Sequence, residues 1–137
     1  MAIRSILAAF NGTPSAESAL RAALSLARER DAFVTGVLAH GVARARAHLS
    51  PWLTDELDRM IARQEAESRE AIEAKFWEIV GADMKDHAAF ADVAADPSAA
   101  VADYARAADL VCIGRYDARA GAEHYAPSPD VVALQCG

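Results

Sequence analysis

The chain has 137 residues and a mass of 14.6 kDa, which fits one domain, and its 14 basic and 20 acidic side chains give a net charge of −6. That balance excludes a general nucleic-acid binder, which needs a basic footprint, and it excludes electrostatic adhesion to anionic membranes. Of the hydrophobic residues 34 are Ala, so the sequence predicts close-packed, Ala-lined helices around a modest set of Val, Ile and Leu. Cys112 and Cys136 are too few for a disulfide framework. No apolar stretch approaches the roughly 18 residues of a membrane span, and no secretory signal opens the chain, so a cytoplasmic protein is expected.

Residues 5–10 form a short unbroken apolar run that meets the turn signal Asn11-Gly12. A strand without polar alternation is buried on both faces, as in a parallel sheet. Thr13 is placed to cap a helix, Pro14 suits its first position, and Glu17 complements the dipole in its first turn. Leu20, Ala23, Leu24 and Ala27 then mark one apolar helical face.

Residues 32–39 read as a second buried strand, although Gly36 inside it weakens the pattern. Residues 41–49 read as a loop. Ser50-Pro51 starts a long predicted helix with Leu53, Leu57, Ile61, Ile72, Phe76 and Ile79 on its apolar side, and Gly81 is the expected stop. Its other face is charged and reads as solvated surface.

Residues 88–94 predict a weaker third strand near a sheet edge. Asp96 caps the next helix, Pro97 opens it, and Val101, Tyr104, Ala105 and Ala108 are its expected inner face. Residues 110–113 form the clearest apolar strand, ended by Gly114, and Val111 is expected to be central. Residues 115–129 read as loop and 128–135 as a last short helix. The alternation of strand and helix predicts βαβ units and a parallel sheet with helices on both faces. Ligands of such sheets sit beyond the carboxyl ends of the strands, where strand order reverses. Those ends are Phe10-Asn11-Gly12, Ala39-His40 and Gly114-Arg115.

The segments 5–23 (SILAAFNGTPSAESALRAA) and 96–114 (DPSAAVADYARAADLVCIG) resemble two separate motif regions of the universal stress proteins, and the element order resembles that family over nearly the whole chain. The resemblance implies an α/β fold, a parallel-sheet βαβ sandwich of the adenine-nucleotide-hydrolase-like type. It implies a stress-response or regulatory role, a homodimer or a second tandem domain as partner, and in some members ATP as ligand. Carried onto this chain, it places the cleft at Ala9, Asn11, Ala39, Gly114, Arg115, Asp117 and Ser128.

The sequence departs from the family pattern at several of these positions. Asn11 stands where ATP-binding members have Asp, and it keeps hydrogen-bonding capacity without the charge. The family's phosphate loop is Gly, two residues, Gly, nine residues, then Gly and Ser or Thr. Here the three glycine positions hold Gly114, Asp117 and Pro127, and Ser128 follows. Asp117 brings negative charge towards phosphates, and Pro127 has no N–H to donate. The expectation is therefore a domain that does not bind ATP in the usual way. The alternative is an adenine-nucleotide site built on a non-standard loop, with Asn11, Arg115 and Ser128 as its polar groups. The family's fifth strand is also missing after Gln135-Cys136-Gly137, which suggests the first part of a longer tandem protein and an open edge at residues 110–113.

Other constellations carry less. His40, His48, His87 and His124 lack metal-site spacing, and His40 alone falls near the expected cleft. Cys112 reads as an inert buried thiol and Trp77 as core. No nucleophile elbow occurs, and a weak ATP hydrolase with Asp117 as its only acidic candidate is the sole enzymatic alternative. The excess of Arg (12) over Lys (2) fits a bacterium with a GC-rich genome.

Overall fold

The computed structural model describes residues 2–41, 54–115 and 126–136. The segments 42–53 and 116–125, which include Ser50-Pro51, Trp52, His48, Asp117 and His124, lie outside the described residues. Four strands, β1 (Ser5–Ala9), β2 (Phe33–Ala39), β3 (Ala88–Val93) and β4 (Leu110–Cys112), form one parallel sheet in the order β3-β2-β1-β4. This is the parallel α/β sandwich that the alternating pattern predicts.

Helices α1 (Pro14–Arg30) and α2 (Asp55–Met84) cover one face, and α3 (Pro97–Ala105) and α4 (Pro129–Gln135) cover the other. The first face buries Ile6, Ala8, Phe10 and Val34 against Leu20, Ala23, Leu24 and Ala27 of α1. The second buries Leu7, Ala9 and Val37 against Val101, Ala102 and Ala105 of α3 and Val132 of α4. Strands buried on both faces explain the unbroken apolar runs in the sequence. Among the described residues no helix is long and apolar enough to cross a membrane.

Phe76 of α2 is fully buried, and its ring lies directly on Gly36. A Cβ at Gly36 would fall 2.3 Å from Phe76 Cε2. The glycine that weakened the strand pattern is thus the seat of the ring that docks α2. Phe10, Trp77 and Phe90 surround that ring at centroid distances of 5.7, 5.1 and 5.0 Å. Trp77 is half-buried against this core, as expected.

Several expectations need correcting. β4 lies at the edge of the sheet, paired only with β1 among the described strands, and Val111 is only partly buried. Hydrophobicity marked the strand but carried no information on its place in the order. Among the described residues α2 begins at Asp55, where Thr54 Oγ1 accepts the Leu57 N–H at 3.3 Å and caps it; the expected start at Ser50-Pro51 lies outside them. Gly81 does leave the helical region at φ 74°, ψ 171°, at the expected stop, and a further short turn runs to Met84. Tyr104 and Leu57, expected inside, are 40% and 44% exposed. No side chain of α2 between Asp55 and Lys75 is buried.

The amino end of the sheet is fixed by Asp109. Its Oδ2 accepts the Arg4 and Ser5 N–H groups at 2.9 and 3.0 Å and the Ser5 hydroxyl at 3.1 Å. These bonds to the charged form, the Arg4 amide first, hold the Asp109 carboxyl below its ordinary value, and Arg28 does the same for Asp83 at 3.0 Å.

Two predictions follow from these contacts. Phe76→Ala should destabilise the protein by about 3–5 kcal/mol through the cavity it leaves, and Gly36→Ala by about 1–3 kcal/mol through overpacking, both read by urea unfolding. A carboxyl depressed in the folded state stabilises fully above its unfolded pKa of about 4, and this contribution is lost as pH falls through the lower folded value. Urea unfolding should therefore show Asp109→Asn less stable than the parent at pH 7, with the gap closing below about pH 4.

Candidate functional site

Strand order reverses beside β1. The chain passes from β1 to β2 and β3 on one side, then returns to place β4 on the other. The chain leaving β1 goes to α1 on one face and the chain after β4 leads to α4 on the other, so a crevice is left between them, the usual ligand position in a parallel sheet. A cavity of about 20 Å3 lies there. It is lined by Ala9, Asn11, Thr13, Ser15, Ala16, Ile113, Gly114, Arg115, Ala126 and Pro127.

The wall formed by the β1–α1 turn is built by local chemistry. Asn11 Oδ1 accepts the Thr13 N–H at 3.2 Å and the Thr13 hydroxyl at 2.7 Å. Thr13 Oγ1 in turn accepts the Ala16 N–H at 3.3 Å, and the Thr13 carbonyl accepts the Glu17 N–H at 2.9 Å. Pro14 has no N–H. The donors of Thr13, Ala16 and Glu17 at this helix start are thus satisfied within the turn rather than presented to an anion. Gly12 holds φ 78°, and a Cβ there would lie 3.2 Å from Ile72 Cγ1 of α2. Lys75 of α2 pairs with Glu17 and reaches the Gly12 carbonyl at 3.4 Å, so α2 backs the turn from outside.

The opposite wall meets this turn at Gly114. A Cβ there would fall 2.6 Å from the Ser15 carbonyl carbon and 2.7 Å from the Ala16 nitrogen. Only glycine lets the end of β4 approach the backbone of α1 this closely. The Ser15 hydroxyl donates to the Arg115 carbonyl at 2.7 Å and ties the two walls together.

Of the seven residues expected at the cleft, Ala9, Asn11, Gly114 and Arg115 come together here. Ala39 is buried at the end of β2, paired with Val93, and does not line the cavity. Ser128 lies one residue past the lining, and its N–H donates to Ser98 Oγ at 2.9 Å. Asp117 lies outside the described residues.

His40 does not line the cavity. Its side chain is 11% exposed, and Nε2 lies 2.7 Å from Asp92 Oδ1, whose Oδ2 takes Arg69 Nε of α2 at 3.1 Å. The pairing was not read from the sequence, although an Asp inside an otherwise apolar strand is its one local signal. Cys112 is partly buried, and burial pushes its thiol pKa up, away from reactivity. Thr13 and Ser15 also line the cavity, although the capping pattern of the sequence assigns Thr13 only to the start of α1.

Sheet order and helix placement, with a crevice at the switch point, define a parallel α/β sandwich, and the fold is that of the universal stress proteins. A universal stress protein in complex with cAMP is 17% identical to this chain, at a TM-score of 0.57 over 81% of this chain and 75% of the other. The universal stress protein from Archaeoglobus fulgidus in complex with dAMP is 19% identical, at a TM-score of 0.54 over 81% and 80%. Universal stress protein UspA from Lactobacillus plantarum is 16% identical, at a TM-score of 0.61 over 98% and 93%. At these identities the likeness is one of fold. No protein-family model matches the sequence, and no curated protein matches it.

Gly114→Ala should destabilise the fold by about 1–3 kcal/mol, because both contacting groups are backbone and cannot turn aside. Ser15→Ala should remove about 1 kcal/mol by deleting one hydrogen bond. Thermal unfolding of the two variants checks both the order and the sizes.

Proposed function

We propose that the chain is a universal-stress-protein-like regulatory domain whose switch-point cleft does not hold ATP in the usual way. One observation carries the reading. Among the described residues the enclosed part of the cleft measures about 20 Å3, room for roughly one water molecule. The chemistry of the walls supports it. Thr13, Ala16 and Glu17 use their amides within the turn, Pro127 contributes no N–H, and Gly114 is committed to packing on α1. Fewer backbone donors are therefore left for a triphosphate among the described residues of these walls than a glycine-rich cradle presents. On this reading the domain acts through protein contact in the cytoplasm, with a second copy or a tandem domain as partner.

A second reading is an adenine mononucleotide site. It is favoured by the convergence of Ala9, Asn11, Gly114 and Arg115 on one crevice, and by the cAMP and dAMP held by two proteins of the same fold. A single phosphate demands little more than one guanidinium, and Arg115 is the one cation among the described lining residues.

Calorimetric titration with ATP and magnesium, in parallel with AMP, separates these readings. The expected result is no ATP heat up to millimolar concentration. Micromolar ATP affinity would overturn the proposal, and saturable AMP binding without ATP binding would favour the second reading.

A further inference from the structure

The carboxyl-terminal part of α2 carries a second groove. It holds about 510 Å3 and is lined by Trp77, Glu78, Gly81, Ala82 and Lys85. Among the described residues it shares no lining residue with the switch-point crevice. The chain runs from here through a short turn into the start of β3, so the groove lies at the amino end of the parallel sheet, away from the crevice.

The local sequence builds this space. Gly81 leaves the helical region at φ 74°, which ends the regular helix after Val80 and turns the chain aside. Gly81 and Ala82 add little bulk to the lining. Trp77 is held edge-to-face on Phe76 at a centroid distance of 5.1 Å, and its half-exposed indole lines the groove.

Glu78 and Lys85 bring opposite charges to the same space. Among the described residues neither side chain has a hydrogen-bond or ion-pair partner, and they do not pair with each other. Asp83, which falls between them in the chain, is taken by Arg28 at 3.0 Å. The carbonyl end of the helix at Val80 adds negative potential near Glu78. A carboxylate, an ammonium and an aromatic surface thus line one groove.

We propose that this groove binds a free aromatic α-amino acid, with its ammonium at Glu78, its carboxylate at Lys85 and its ring on Trp77. A simple cation would be repelled by Lys85 and a simple anion by Glu78, so a zwitterion is the ligand whose charges both groups complement. An aromatic body gains a ring contact with the indole that an aliphatic one lacks. The assignment does not depend on what the crevice holds.

The chain has two tryptophans, and Trp52→Phe leaves Trp77 as the sole indole. Titration of that protein with L-phenylalanine should change the indole emission saturably at millimolar concentration. Amide chemical shifts of Gly81 and Ala82 in the unaltered chain should move over the same range. Glu78→Gln and Lys85→Met should each weaken the affinity roughly two- to fivefold, as half-exposed charge contacts do. Phenethylamine, which lacks the carboxylate, should not be weakened by Lys85→Met, and hydrocinnamate, which lacks the ammonium, should not be weakened by Glu78→Gln. Ala82→Leu, which adds bulk to the lining, should abolish the response with both charges in place. Thermal melts near that of the parent verify that the variants fold. Absence of both saturable signals overturns the proposal, as does a phenylalanine affinity that neither charge substitution lowers.

Discussion

The arrangement at the carboxyl end of the sheet depends on how closely β4 can approach the first turn of α1. Gly114 permits contact with the Ser15–Ala16 backbone at distances that any side chain would forbid. That contact brings the Arg115 carbonyl within reach of the Ser15 hydroxyl and sets the width of the crevice. The residue carries out a packing task at a position where, by resemblance, a phosphate-binding task would be expected. A glycine retained on such a motif is therefore not by itself a sign of a retained ligand, because close approach of two backbones requires glycine just as a phosphate cradle does.

The same reasoning bears on the sheet interior. Gly36 and Phe76 are complementary, one giving up a side chain so that the ring of the other can rest against the strand. Around that pair, Phe10, Trp77 and Phe90 form the only aromatic cluster among the described residues, in a core otherwise rich in Ala. Small residues bring helix and sheet together, and a few large rings fill what remains, so uniqueness of packing is concentrated in a few positions.

What the sequence made legible was local. Thr13, Pro14 and Glu17 announced the start of α1, and the spacing of Leu20, Ala23, Leu24 and Ala27 gave its buried face, because capping and periodicity involve neighbours in the chain. The parallel sheet followed from unbroken apolar runs separated by helices. Strand order did not follow from the apolar runs: β4, the clearest of them, is an edge among the described strands, as the missing fifth strand implied and against the expectation of a central Val111. The four cleft residues that converged lie at strand ends, where topology alone predicts a site, whereas Ala39 sits at an equally good strand end on the wrong side of the reversal. The His40–Asp92–Arg69 group joins three elements across the fold, and no local pattern encodes such a meeting.

Helix α2 has two thermodynamic halves. From Phe76 onward it is bound to the core by buried rings and aliphatic chains, whereas from Asp55 to Lys75 it touches the rest of the protein through half-exposed contacts and ion pairs. Burial is therefore concentrated in the carboxyl-terminal part of α2, and the longer amino-terminal part meets the fold chiefly at Ile72, Lys75 and Arg69, so its attachment is sparse for its length.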